Sequence, residues 1–227
     1  MVNSKKKENQ AKKEYKWIYD NIISKLYDIG LKIGLTPPGE RILRISVYES
    51  VLPYIQRKDK ILDLCCGTGT LTVLLSDLLY SDCEIIGVDL SNGQIAQARK
   101  KVKNSNIKFE VMNANNLKFK DGSIDKVIIS AALHEMNKSE RMNVLLEVYR
   151  VLKKEGYFLI FEHHEPSKTS LRIYYNFYLG FSEKLLSHSF EMQRNILMEL
   201  RNAEFNILSQ TPIKKFYSFF QIILSTK

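Results

Sequence analysis

Between residues 60 and 90 four features follow one another at fixed spacing. An apolar run, Lys60-Ile61-Leu62-Asp63-Leu64, leads into the turn Cys65-Cys66-Gly67-Thr68-Gly69-Thr70. A stretch with Leu71, Leu74, Leu75 and Leu78 at helical spacing comes next, and then a second apolar run, Glu84 to Asp89, that ends in an acid. Short apolar run, glycine turn, helical period and apolar run read as strand, turn, helix, strand. Two parallel strands so joined require a crossover, and crossovers are right-handed, so this segment alone commits the chain to a helix-covered parallel sheet.

The alternation continues. Ser91 with Gln94 three positions on is the signature of a capped helix running to about Val102. Ile107 to Met112 and Ile124 to Ala131 read as strands three and four. Asn137 with Glu140 opens another helix, along which Met142, Leu145, Leu146, Tyr149 and Leu152 share a face, and Tyr157 to Glu162 follows Gly156 as strand five. Beyond it the order changes. A helix over Leu171 to Leu186 is apolar on most sides, so it must be buried or cover something greasy. Another near Met192 to Leu200 precedes two candidate strands, Phe205 to Leu208 and Phe216 to Leu224, whose short link suits an antiparallel pair. The expected fold is α/β, a Rossmann-like doubly wound sheet of seven strands, mostly parallel with a C-terminal antiparallel hairpin and a helical lid. The chain's 227 residues suffice for one such domain and would cramp two. Residues 1–56 then form N-terminal helices, a basic tail and part of the lid, and residues 57–227 the main domain, with a helical insert at about 168–190.

In such a sheet ligands bind beyond the carboxyl ends of the strands, where the strand order reverses. The loop there holds Gly67 and Gly69, which let backbone approach a ligand, and the next helix offers unpaired amides. Asp89, twenty positions after Gly69, sits where a carboxylate can accept both ribose hydroxyls. Two nucleotide chemistries share this layout. A dinucleotide site wants a third glycine where Thr72 stands, and Asp63 just before the loop would oppose a pyrophosphate but suit an ammonium.

The composite resembles the class I S-adenosylmethionine-dependent methyltransferases over about Ile61 to Phe161. The first motif spans Ile61 to Thr70, the second Ile85 to Ser91 and the adenine loop Val111 to Phe119; Ile124 to Met136 and then Glu147 to Ile160, with its Arg150-Val151-Leu152-Lys153-Lys154-Glu155-Gly156 run, complete it. The resemblance implies S-adenosylmethionine as cosubstrate and S-adenosylhomocysteine as product. By carry-over Asp63, Cys65, Gly67 and Gly69 would hold the methionine moiety and Asp89 the ribose. Leu90 and Ile95 would pack on the adenine, Asn113 and Ala114 would meet its edge, and Ser130 and Leu133 would lie near the methyl. Cys65 departs from a customary glycine and is tolerable only if its backbone avoids conformations that a Cβ forbids. Asn113 replaces a customary Asp, but its carbonyl still accepts from an amine.

His134 and His164 follow strands four and five on the ligand side and are the titratable groups placed to orient an acceptor or take its proton. Packing or surface roles for these histidines stand beside that reading. The three cysteines lack ligand spacing, so no metal is expected, and their odd number argues for a reducing compartment and the cytoplasm. The apolar insert and the helix from Tyr15 to Tyr27 would close over the substrate in this family and suggest a small or lipid-like acceptor, such as a prenylated quinone or a lipid headgroup. The net charge of +9 is uneven: at the start Lys5, Lys6, Lys7, Lys12, Lys13 and Lys16 face only Glu8 and Glu14 and supply +4 of it. That segment reads as a solvated tail, a contact for anionic membrane or a nucleic-acid arm. A nucleic-acid substrate is disfavoured by Ser130-Ala131-Ala132-Leu133-His134, which stands where enzymes modifying exocyclic amines of nucleic acids usually carry Asn/Asp-Pro-Pro-aromatic. An NAD-type oxidoreductase and a non-catalytic nucleotide binder are the rival classes.

Overall fold

The computed structural model describes residues 40–186, 188–213 and 219–227. The helix expected from Tyr15 and the basic segment before it lie outside them. Helix α1 (Glu40–Val51) and a 3-10 turn (Leu52–Tyr54) precede β1 (Lys60–Leu64), α2 (Thr70–Leu78), β2 (Glu84–Asp89), α3 (Asn92–Lys100), β3 (Ile107–Val111) and β4 (Ile124–Ser130). A second 3-10 turn (Leu133–Glu135) leads to α4 (Lys138–Val151), β5 (Leu152–His163), α5 (Thr169–Leu186), α6 (Ser189–Asn202), β6 (Asn206–Pro212) and β7 (Phe220–Thr226). The seven strands form one sheet in the order β3-β2-β1-β4-β5-β7-β6. β1 to β5 run parallel, and β7 is antiparallel to both β5 and β6, the expected C-terminal hairpin. The order reverses between β1 and β4, which places the crevice beyond their carboxyl ends.

Side-chain alternation divides the core. Leu62, Leu64, Ile86, Val127, Ile129, Phe158 and Ile160 face α4 and α6, meeting Val144, Leu145, Val148, Met192, Ile196 and Leu200. Ile61, Ile85, Ile128, Leu159 and Phe161 point the other way, toward Leu43 and Val47 of α1 and Leu71 and Leu75 of α2. Both expected helix starts are capped. Ser91 accepts from the Gln94 amide, and Asn137 and Glu140 form a complete capping box. At Ser91 the returning arm comes from elsewhere: its own amide donates to Asp89 at 2.9 Å. The cap and the candidate ribose acid are therefore one construction.

The differences from expectation lie at element edges. β5 begins at Leu152 rather than Tyr157, because Leu152 already pairs with Ile124 before the register shifts to Lys126 and Tyr157. Gly156 sits in that irregularity, where a Cβ would come within 2.7 Å of Leu152 Cδ1 and 2.9 Å of the Asp125 carbonyl oxygen. Among the described side chains of α5, Tyr175 is enclosed, but Ile173, Tyr174 and Phe177 are 67%, 60% and 81% exposed, which leaves the second of the two expectations, a helix that covers something greasy.

A fully buried ion pair joins the two helices on one face of the sheet. Arg141 on α4 donates to both oxygens of Glu199 on α6, each at 2.9 Å, and to the Met136 carbonyl at 2.6 Å. Charges without solvent exposure need such bidentate geometry and a third acceptor to offset their desolvation.

Candidate active site

Asp63 is the penultimate residue of β1 and is 1% exposed. Its Oδ2 accepts from the Thr72 hydroxyl at 2.6 Å. Thr72, the residue that replaces a third glycine, thus faces the acid on the strand before the loop. Oδ1 of Asp63 is buried with no hydrogen-bond partner. Burial lifts this carboxyl to about 6, against the Thr72 hydrogen bond and the charge of Arg44.

The loop after β1 bends through positive φ at Cys65 (57°), Gly67 (56°) and Gly69 (72°). Cys65 therefore occupies the left-handed region that the sequence reading required it to avoid, at a cost of roughly 1 to 2 kcal/mol. The glycines also part ways. A Cβ on Gly67 would meet nothing nearer than Gln94 Oε1 at 4.0 Å, whereas one on Gly69 would strike Phe109 Cζ at 2.4 Å and Ala98 Cβ at 2.8 Å. Gly67 keeps space open for a ligand, and Gly69 lets α2 and α3 close against the sheet.

Asp89, at the end of β2, accepts from the Gly67 amide and the Ser91 amide, each at 2.9 Å. Its carboxylate is thereby tied to the glycine loop and to the first turn of α3. A cleft joins these parts: Asp63, Cys65, Gly67 and Asp89 line it with Ser130 from β4, and Arg44 reaches it from α1. Gln94 also lines it, with Oε1 buried and unpartnered. Ala131, in the same wall, holds φ 51°. Two non-glycine residues in the left-handed region thus flank the crevice, one after each of the two strands at which the order reverses.

Leu90, Asn113 and Ala114 stand next door, at the ends of β2 and β3, outside the walls of that cleft. Leu90 is 51% exposed. The Asn113 side-chain oxygen, the atom expected to meet an amine, accepts from the backbone and side-chain amides of Asn115 at 2.9 and 3.2 Å. Ile95, expected against the adenine, is instead fully buried with Ala98, Ile107 and Phe109. Leu133 is likewise enclosed in the core. Position in the motif cannot tell which way such a side chain turns.

The histidines divide. His134 Nδ1 lies 2.7 Å from Glu162 Oε1, and its backbone amide donates to Oε2 at 3.2 Å. Burial alone would depress His134, but the Glu162 charge outweighs it and holds the imidazole above its ordinary range. His163 meets His134 edge to face at 4.7 Å and stacks on Phe220. Burial, then the charge on His134, drops His163 to about 4, and its Nδ1 has no hydrogen-bond partner. His164 is displaced from this group: its amide donates to the Phe219 carbonyl at 2.8 Å, and burial lowers its imidazole. The ligand-type atoms of His134, Glu162 and His163 all fall within 4.8 Å of one another. The 2.7 Å separation of Nδ1 and Oε1 is a hydrogen bond, however, and commits those two atoms to each other. The thiols of Cys65 and Cys66 are pushed up by burial and so stay protonated.

Sequence reasoning missed Glu162 as a site residue, because an acid ending an apolar strand carries no motif of its own. Only strand alternation could have found it, by setting it opposite Phe161 and His163. Arg44 had no signal beyond its place beside Leu43 and Val47 on one helix.

The protein-family model described as a methyltransferase domain matches residues 61–156. The chain is 29% identical over 208 residues to a demethylmenaquinone methyltransferase of Staphylococcus epidermidis, spanning 91% of this chain and 84% of that one. It is 34% identical over 139 residues to one from Geobacillus sp., covering 60% and 58%. Among solved structures, a SAM-dependent methyltransferase from Methanosarcina mazei superposes with a TM-score of 0.62 at 21% identity, over 79% of this chain and 97% of that one.

Proposed function

For a chain that belongs to the class I S-adenosylmethionine-dependent methyltransferases, we propose methylation of an apolar, quinone-type aromatic acceptor in its reduced, dihydroxy form. One observation carries the reading: relatives named demethylmenaquinone methyltransferase align with it over 91% of its length, through the crevice and the elements beyond it. Two features of the site support it. The cosubstrate's ammonium has a counterpart in the unpartnered Asp63 Oδ1, and its hydroxyls have one in Asp89, with Gly67 leaving the approach open. Cys65, Gly69, Ser130 and, more distantly, Leu90, Asn113 and Ala114 complete the proposed cosubstrate surface.

Bound S-adenosylmethionine supplies an electrophilic methyl, whose bond to sulfur breaks with the electron pair left on sulfur as the acceptor carbon bonds to it. An oxidised quinone ring is itself an electrophile, so the acceptor must be the electron-rich quinol. His134, between cleft-lining Ala132 and Glu135, takes a hydroxyl proton from the ring as its carbon attacks. The ring C–H proton is lost afterwards as the hydroxyl regains one, so each turnover releases one proton. No metal enters this scheme. His164, the other candidate, is assigned no proton transfer, because it lies away from His134 and Glu162. Ile173, Tyr174 and Phe177 of α5 offer an apolar surface to a prenyl tail or to the membrane that holds it. Among the described residues no helix is long and apolar enough to cross a membrane. The proposed setting is cytoplasmic, against a membrane surface, with residues 1–56 and 168–190 as covering elements.

The test supplies methyl-labelled S-adenosylmethionine with dithionite-reduced demethylmenaquinone, its oxidised form, or total lipid extract. Label is expected in the reduced quinone and in the quinone fraction of the extract. Label in a headgroup lipid, with none in the quinol, would overturn the acceptor assignment.

A further inference from the structure

Glu162 has a role that the methyl-transfer reading above leaves unassigned. It ends β5 on the face opposite Phe161 and is fully buried. A buried carboxylate must find donors for its lone pairs. Three N–H groups converge on this one: His134 Nδ1 and the His163 amide, at 2.7 and 3.0 Å, on Oε1, and the His134 amide, at 3.2 Å, on Oε2. Two of these donors belong to His134. The carboxylate therefore grips both the backbone and the ring of a residue in the turn after β4, between cleft-lining Ala132 and Glu135 in the chain. A carboxylate can only accept, so the ring nitrogen facing it must carry a proton, and in the neutral imidazole the other nitrogen is then the acceptor.

We propose that Glu162 is the positioning residue of a His134–Glu162 dyad, holding His134 in the tautomer with the proton on Nδ1 so that Nε2 is left to take the acceptor's proton. This deepens the proposed function and rests on it for the identity of the acceptor. In the step, the acceptor O–H bond breaks, its proton bonds to Nε2, and the resulting imidazolium keeps its Nδ1–H···Oε1 bond; Nε2 then returns the proton to solvent. The dyad also accounts for the neighbouring histidine. Burial already disfavours charge on His163, and His134, its positive form stabilised by Glu162, adds repulsion from a ring 4.7 Å away, so one imidazole titrates and the other stays neutral.

Among the described residues four titratable groups face His134. From β5 come Glu162 and His163, from its own turn Glu135, and from the start of α6 His188, whose amide donates to the His134 carbonyl and whose ring lies 3.8 Å from Glu191. Only Glu162 makes a hydrogen bond to the His134 ring among the described residues.

The experiment has two readouts. Long-range 1H–15N spectra of the whole protein report tautomer and titration without any acceptor present. Wild type is expected to show Nδ1–H at His134 and a midpoint above 6.5; Glu162→Gln is expected to lose the single tautomer and titrate below 6.5. With cosubstrate and quinol saturating, Glu162→Gln should lower kcat by about 10²-fold and move the acid limb of its pH profile downward, while Glu162→Asp recovers part of the rate. A wild-type His134 protonated on Nε2, or titrating at an ordinary midpoint, would overturn the proposal even if Glu162→Gln fails to fold. So would activity lost on exhaustive chelation and restored by one divalent ion, since these side chains would then be ligands. If wild type leaves the quinol unmethylated, the acceptor reading fails while the spectra still decide the dyad.

Discussion

Glu199→Ala is expected to destabilise the protein by about 3 to 5 kcal/mol, because it strands the Arg141 guanidinium in a site without solvent access. Only a longer pairing with a partly solvated acid would remain. Both residues are 0% exposed, Arg141 is held at its other end by the Met136 carbonyl, and the nearest alternative acid, Glu191, lies 3.6 Å away and is itself partly solvated. The pair spans α4 and α6, the helices that cover one face of the sheet, and Met136 follows directly on the turn that carries His134. Urea unfolding followed by circular dichroism checks the magnitude. The double variant Arg141→Met/Glu199→Leu should recover most of the loss, since removing both charges also removes their desolvation cost. Equal destabilisation by the single and the double variants would show that packing, not charge, holds this interface.

His134→Ala is expected to lower turnover on the reduced quinone by about 10²- to 10⁴-fold, the range a positioned general base contributes. S-adenosylmethionine affinity should stay within a few-fold, because the ring's partners are Glu162 and His163 rather than Asp63 or Asp89. The same substitution at His164 should cost little, as its amide donates to the Phe219 carbonyl just before β7 and its ring pairs with Gln221 rather than with His134 or Glu162. Steady-state rates at saturating cosubstrate separate the two. Normal turnover by His134→Ala would remove the base from the mechanism and favour an acceptor with a free lone pair.

The legible part of this protein is the part encoded locally. The apolar run ending in Asp63, the turn glycines and the acid at 89 are consecutive in the chain and adjacent in the fold, so spacing alone brought out the crevice. Ser91 and Asn137 announced their helices because a cap is a contact between residues three apart. Cys65 was legible as an anomaly, but its resolution was not: whether the backbone bends away or accepts the strain depends on Asp89 drawing in the Gly67 amide from β2. The packing demand on Gly69 is not legible beside its place in the ligand loop, because its clash partner, Phe109, lies forty residues on. Glu162 and His163 escaped for a related reason. Their meaning comes from the pairing of β4 with β5, which brings the turn after Ser130 beside Phe161, and no local pattern states that pairing. For α5 the sequence leaves two readings, because composition reports how greasy a helix is and not whether anything covers it.

Calorimetric titration of S-adenosylmethionine, S-adenosylhomocysteine and NADH into wild type, Asp63→Asn and Asp89→Ala tests the site most directly. Wild type should bind the first two and not the third. Asp89→Ala, losing charge-assisted hydrogen bonds to the ribose, should bind about 2 to 4 kcal/mol more weakly. The pH dependence has a definite sign. The ammonium favours ionised Asp63, and burial sets that carboxyl at about 6 in the free protein, so affinity should be full above pH 6 and fall about tenfold per unit below it. Asp63→Asn should bind weakly at every pH and lose this dependence. Unchanged cosubstrate affinity in both variants, or NADH binding to wild type in its place, would contradict the account.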